Sequence, residues 1–411
     1  MNSLKKDISW TFIGNLVYLG SQWGMLVVLA KLGSPEMVGH FALGQAVAGP
    51  IILFSMLQLR GYQATDTAGE YMFGHYFALR LLTSCIGFFL VLFLAFAFGY
   101  RAEIFQIIMV TGLFKAVEGC GDVCYGAMQQ QERMDRVAIG KMVKGPLLFA
   151  VLSLGLYWTG NLIISLVGMV CVLVVVFFVY DLPTTYTVMR HTPSKAAGPK
   201  WEWNKLGQLA KISLPLGIVM VFTSVNSYLP RYFIEHFHGS TELGIFVALA
   251  SLQKVGGQLI QAVHQSAAPR FARYYQDRDR YRFSVLLLKM AGVGTLLGSI
   301  GVLVAAMYGE KLITLLFGSK FVRWDVFLAL CVAGWVRYTF SLGTVFTATR
   351  YIRIQMPVQL VVFLSLLVAC WLLVPSYGIL GAVYSLLVCL CIQTGCGIII
   401  LIHLYSKKFT S

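Results

Sequence analysis

Residues 213–270 read SLPLGIVMVFTSVNSYLPRYFIEHFHGSTELGIFVALASLQKVGGQLIQAVHQSAAPR, and the fold follows from them. Two apolar stretches, about 206–228 and 243–268, flank a short polar turn. Each is long enough to cross a bilayer as a helix, which takes about 20 residues. Lys254 falls near the middle of the second. A charge at that depth costs about 2.5–3.5 kcal/mol on insertion scales, so it must face water, a partner or the protein interior. The turn also echoes the start of the chain: GSTELGIFVAL from Gly239 resembles GSPEMVGHFAL from Gly33. A repeat separated by about half the chain implies a two-part membrane protein.

Composition supports this. Of 411 residues, 58% are hydrophobic and 12% charged, with a mean hydropathy of +0.75; soluble domains carry about 25% charged residues. No connecting stretch is long enough for a soluble catalytic domain, and the longest polar one, 181–205, is linker-sized. The apolar run after MNSLKKD is too long for a signal-peptide core and reads as an uncleaved first span. All nine cysteines lie in apolar segments. The Cys120/Cys124 and Cys389/Cys391 pairs have no neighbouring His or Cys cluster, so they read as small packing residues and no metal or organic cofactor is expected.

Spans are expected at about 9–31, 40–59, 76–98, 104–127, 137–158, 161–180, 206–228, 243–268, 284–307, 325–348, 356–374 and 379–403. The chain is therefore an all-α integral membrane protein of twelve transmembrane helices. Its expected parts are a six-helix bundle over 1–180, a cytoplasmic linker over 181–205 and a second six-helix bundle over 206–411. An even number of spans per half gives both halves one orientation, related by a pseudo-two-fold axis along the membrane normal. GxxxG pairs at Gly20/Gly24 and Gly294/Gly298 would permit close helix packing.

Cationic residues crowd into alternate loops, such as RFARYYQDRDRYR at Arg270–Arg282. The other side has Lys31, Arg101, Arg231, Lys311, Lys320 and Arg323 and a similar number of acids. By the positive-inside rule both termini and the linker, Ser194 included, are cytoplasmic. The net charge of +15 is thereby explained by topology, with no need for a nucleic-acid partner; membrane lipid headgroups are the natural neighbours of such loops.

Three cations remain near mid-membrane depth: Lys115, Lys254 and Arg337. Lys115 shares one helical face with Glu118 and Asp122, at spacings of three and four. Either these acids neutralise Lys115, or one of them couples transport to a proton or sodium ion. Lys254 and Arg337 have no acid within two turns, which favours a wet cationic cavity suited to an anion. Arg60, in SMLQLRGYQATD, is either the cytoplasmic mouth of such a cavity or a helix-end arginine reaching the interface. Arg231 and Glu235 are spaced as a structural pair, and His264 reads as a packed histidine.

The segments SLPLGIVMVFTSVNSYLPRYFIE, ELGIFVALASL and QSAAPRFARYY resemble bacterial polysaccharide or O-antigen-type oligosaccharide flippases. These belong to the multidrug/oligosaccharidyl-lipid/polysaccharide exporter superfamily. GSPEMVGHFALGQAVAGPI and VPSYGILGAVYSL fit the same pattern, so the resemblance covers essentially the whole chain. It implies two bundles forming a V around a central cavity. It also implies alternating access that carries a polyprenyl-diphosphate-linked oligosaccharide from the cytoplasmic to the outer leaflet of the bacterial cytoplasmic membrane. Polysaccharide polymerase machinery would be a further partner. The implied role is transport rather than catalysis. Lys254, Arg337, Lys115 and Arg60 are then the substrate-binding candidates, and Glu118 and Asp122 the ion-coupling ones. Two rivals are a cation-coupled multidrug exporter and a membrane-embedded polymerase or glycosyltransferase. The first would need acids for cationic drugs, and the second a catalytic loop or acidic metal cluster. A non-transporting assembly scaffold is a third.

Overall fold

The computed structural model describes residues 2–66, 69–190, 198–340, 342–348 and 352–409. The described elements are helices throughout. The first half contains α1 (Asn2–Leu32), α2 (Pro35–Ser55), α3 (Leu59–Thr65), α4 (Phe73–Ala97), α5 (Ala102–Gln130), α6 (Met134–Thr159), α7 (Leu162–Val176) and α8 (Leu182–Met189). The second contains α9 (Trp203–Gln276), α10 (Arg280–Phe317), α11 (Trp324–Thr339), α12 (Gly343–Ala348) and α13 (Ile352–Phe409).

Among the described residues nine helical stretches are long and apolar enough to cross a membrane. They count residues 357–403 once, although Gly378 (φ 59°) divides α13, and they omit α9, which Gly239 (φ 81°) divides. With these two helices split at their glycines, the segments correspond to the twelve expected spans. Glycine is the residue that can take such positive-φ breaks without a Cβ penalty. The echoed motifs are helix–helix turns of different construction. At the first, Ser34 caps α2 by accepting from the Met37 N–H at 3.2 Å, with Pro35 in the first turn. At the second, Gly239 itself makes the break.

The chain divides into two compact units, residues 1–225 and 226–411. The first extends past the expected linker because the start of α9 belongs to its core. Leu206 and Leu209 pack with Leu59, Phe73, Phe77 and Val123. The linker itself is shorter than the polar stretch suggested. A π-helical turn, Phe177–Asp181, carries the sixth span straight into α8, and Asp181 is buried. Residues 191–197, Ser194 among them, lie outside the described residues. The chain then returns to the start of α4: the Lys200 N–H donates to the Gly74 carbonyl at 2.9 Å, and His75 Nε2 lies 3.2 Å from Glu202 Oε1.

In the second unit the fully buried Phe283 stacks edge-on against Phe271 at 5.3 Å and Tyr405 at 5.7 Å, joining α9, α10 and α13. The Tyr338 hydroxyl donates to the Gln253 carbonyl at 2.6 Å, fixing α11 on α9. Helices α10 and α11 cross at Gly294 and Gly298. A methyl at Gly294 would meet the Tyr338 backbone, and one at Gly298 would lie 2.8 Å from the Trp335 Cα. Of the two GxxxG pairs, this one has both glycines at a crossing; Gly24 touches Phe149, but Gly20 faces open space.

Gly294→Ala and Gly298→Ala should therefore force α10 and α11 apart and destabilise the protein by about 1–3 kcal/mol. Gly292→Ala and Gly301→Ala, which point into open space on the same helix, should be neutral or stabilise by up to about 1 kcal/mol. Thermal unfolding of the four variants in detergent checks this, and equal losses at all four sites would contradict it.

Candidate functional site

Charged side chains are gathered in both units, and the two sets differ in how they are compensated. In the first unit, α5 aligns Lys115, Glu118, Asp122, Tyr125 and Gln129 along one face by spacings of three and four. Lys115 Nζ lies 2.8 Å from Glu118 Oε2, while the Tyr18 hydroxyl donates to Glu118 Oε1 at 2.5 Å. The internal pairing open at Lys115 is thus formed, and α1 adds a third member to it.

Asp122 does not join Lys115. Its Oδ1 accepts from Arg60 Nη1 at 3.1 Å, and its Oδ2 lies 3.9 Å from Arg80 Nη2. Arg60 is not the end of the second span: it stands on α3, behind a break at Leu57 (φ 48°) and Gln58 (φ 51°). Two successive left-handed non-glycine residues cost of order 1–3 kcal/mol each, so the surrounding structure must hold them. They aim Arg60 across at α5, where its Nε and Nη2 also donate to Gln129 Oε1 at 3.2 Å. Its guanidinium lies 5.8 Å from the Tyr125 ring centroid. Arg80 is fully buried, and among the described residues none of its three guanidinium nitrogens has a hydrogen-bond partner.

A second buried pair stands beside this network. Lys144 Nζ lies 3.0 Å from Asp181 Oδ2, with the ammonium 4.8 Å from the Tyr125 ring centroid. Gly121 makes room for it, since a Cβ there would sit 2.9 Å from Asp181 Oδ2. Sequence reasoning counted Arg80 and Lys144 with the cytoplasmic loop charges, although both fall inside the expected spans 76–98 and 137–158, and it put Asp181 at the start of the linker. Hydropathy alone does not say which charges in the cytoplasmic part of a span are buried.

The second unit carries an uncompensated set. Lys254 on α9 is exposed, and Arg337 on α11 is exposed as well. The charges that bear on Lys254 are those of Arg337 and Arg231, both positive. Arg231 does not make the expected pair with Glu235; its guanidinium lies 4.8 Å from the Tyr228 ring centroid, one turn back on α9. Among the described residues none of these three cations is in an ion pair. His264 is buried, with Nδ1 3.1 Å from the Thr344 hydroxyl, and reads as a packing residue.

If the Lys144–Asp181 pair is structural, Lys144→Met or Asp181→Leu alone should destabilise the protein by about 3–5 kcal/mol, because each strands a buried charge. The double variant should recover much of that loss. Thermal unfolding of the purified proteins measures this, and a double variant as unstable as the sum of the singles would refute it.

Residues 4–275 match the family described as polysaccharide biosynthesis protein. The capsular polysaccharide biosynthesis protein CapF of Staphylococcus aureus is 25% identical over 391 residues, covering 93% of this chain and 95% of its own. The chain also superposes on a multidrug resistance transporter of the MATE family, MOP superfamily, in its inward-facing conformation. There the TM-score is 0.74 at 11% identity, over 95% of this chain and 96% of that one. For the lipid II flippase MurJ in an inward closed conformation the TM-score is 0.71 at 11% identity, over 98% and 90%. The multi-pass helical fold is the one these transporters share, and the chain belongs to the polysaccharide biosynthesis protein family.

Proposed function

We propose that the protein is a flippase for a polyprenyl-diphosphate-linked oligosaccharide. It carries the headgroup from the cytoplasmic to the outer leaflet of the bacterial cytoplasmic membrane by alternating access, for assembly of a surface polysaccharide. The observation that carries this reading is the cationic set Lys254, Arg231 and Arg337, which has no acid paired to it among the described residues. Moving a diphosphate through a low-dielectric layer requires compensation along the way. One opposite charge at 4 Å and an effective dielectric of about 20 contributes roughly 4 kcal/mol before desolvation. Arg231 and Arg337 each act on Lys254 as like charges, and an entering dianion would relieve that repulsion. The arginines add a planar fork matched to phosphate oxygens, while Lys254 is a point charge. The prenyl tail stays in lipid throughout.

The relatives point the same way, one being a capsular polysaccharide protein and another a lipid II flippase. A multidrug exporter would need acids where these cations stand. A polymerase or glycosyltransferase is disfavoured by the likeness to transporter folds. Proton or sodium coupling would have to act through a carboxylate within the bundle. Glu118, held by Lys115 and Tyr18, and Asp122, held by Arg60, are the candidates for it.

Transport of lipid-linked sugar in reconstituted vesicles tests the assignment. Lys254→Ala should insert and fold normally and yet lose most transport, since it removes an expensive charge from the bilayer. Lys254→Arg should keep part of the activity, and Lys254→Glu should be worse than alanine. Arg231→Ala should deepen the alanine defect. An alanine variant that transports as well as wild type would remove Lys254 from the site.

A further inference from the structure

In the first unit two guanidinium groups share one carboxylate. Arg60 and Asp122 each keep about a quarter of their side chains exposed, at 24% and 23%, whereas Arg80 is fully buried at 0%. Arg60 holds Asp122 at hydrogen-bond length; Arg80 stands 3.9 Å off and makes no hydrogen bond among the described residues. A buried charged donor left without an acceptor is costly, and a native structure that tolerates one is holding it for a purpose or has a second arrangement that satisfies it. Here the second arrangement is close. A shift of about 1 Å would bring Asp122 within hydrogen-bond range of Arg80. It would also release the one partly exposed guanidinium of the trio.

We infer that Arg60 is a masked phosphate-binding residue and that Arg80 is the positioning residue that unmasks it. When an anionic phosphate reaches Arg60, it takes the place of Asp122, and Asp122 turns to Arg80. Every charge is then answered: phosphate on Arg60, carboxylate on Arg80. The set carries two cations against one anion, so it has an excess of one positive charge for the incoming group. Gln129 keeps Arg60 in place during the exchange through the bonds to Nε and Nη2, leaving Nη1 for the ligand. Arg80 is too deep to touch the ligand itself. The idea rests on the flippase reading for the source of the phosphate, a prenyl diphosphate.

The test is the affinity of the purified full-length protein for farnesyl diphosphate, with farnesol as the uncharged control and inorganic diphosphate as the arm without a tail. A masked site binds more weakly by the fraction of time it is unmasked. Asp122→Asn removes the mask and should tighten binding about tenfold, the size of a modest population shift. Arg80→Gln leaves Asp122 nowhere to go and should weaken binding by about the same factor, with Arg80→Lys between it and wild type. In the Asp122→Asn background Arg80→Gln should have no further effect, because no carboxylate remains to be received; this double variant also balances the buried charge should the single one fold poorly. Arg60→Gln should abolish the gain from Asp122→Asn. Additive effects of the Asp122 and Arg80 changes, or an Asp122→Asn variant that binds no tighter, would overturn the exchange. If farnesyl diphosphate binds in a Lys254-dependent way while the cycle is additive, the exchange fails and the flippase reading stands. If the cycle is non-additive as described but Lys254→Ala binds normally, the exchange stands and the site in the second unit falls. Binding equal to that of farnesol in every variant would overturn both, and binding of inorganic diphosphate alone would place the phosphate source outside the lipid.

Discussion

A cation held within a bilayer-spanning bundle has to be answered by an anion, and this requirement organises the polar interior of the protein. Three helices and a π-helical turn of the first unit meet it internally: Lys115 with Glu118, Lys144 with Asp181, and Arg60 with Asp122. Such pairs contribute little net stability because desolvation offsets most of the attraction, but losing one member is expensive. They therefore specify how the helices dock more than how strongly. Gly121 shows the constraint acting on sequence, since no larger residue leaves space for the Lys144–Asp181 pair beside α5.

The second unit departs from that rule at Lys254, Arg231 and Arg337. Its apolar packing is otherwise ordinary, with Phe283 at the centre of an aromatic cluster and glycines at the α10–α11 crossing. Three cations that no acid among the described residues pairs with are an unfavourable arrangement for a purely structural element. They become favourable once an anion is supplied from outside. In the first unit Arg80 poses a smaller version of the same problem, and there the missing partner is a carboxylate already within reach.

Much of the fold was legible in the sequence, because hydropathy and span length act locally and depend little on tertiary context. The Lys115, Glu118 and Asp122 face was likewise readable from helical spacing. Which acid meets which cation was not. Arg60 and Arg80 approach Asp122 from helices far along the chain, and Arg80 sits near enough to a span boundary to pass for a loop charge. The break at Leu57 and Gln58 carries no Gly or Pro to announce it. Arg231 and Glu235 have the spacing of a pair, yet the Tyr228 ring on the same helix occupies the arginine. Local rules predicted the spans but not the short helices α3 and α8; the partners of the charges were decided by tertiary packing.

The central claim is that the cations of the second unit receive the phosphates of the transported lipid. The most direct measurement is a cryo-electron microscopy structure of the full chain with a polyprenyl-diphosphate-linked oligosaccharide bound. The account predicts diphosphate density within about 4 Å of the Lys254 ammonium, the range over which an ion pair acts, with Arg231 or Arg337 on the same group. Diphosphate density resting on polar groups elsewhere, with Lys254 untouched, would contradict it.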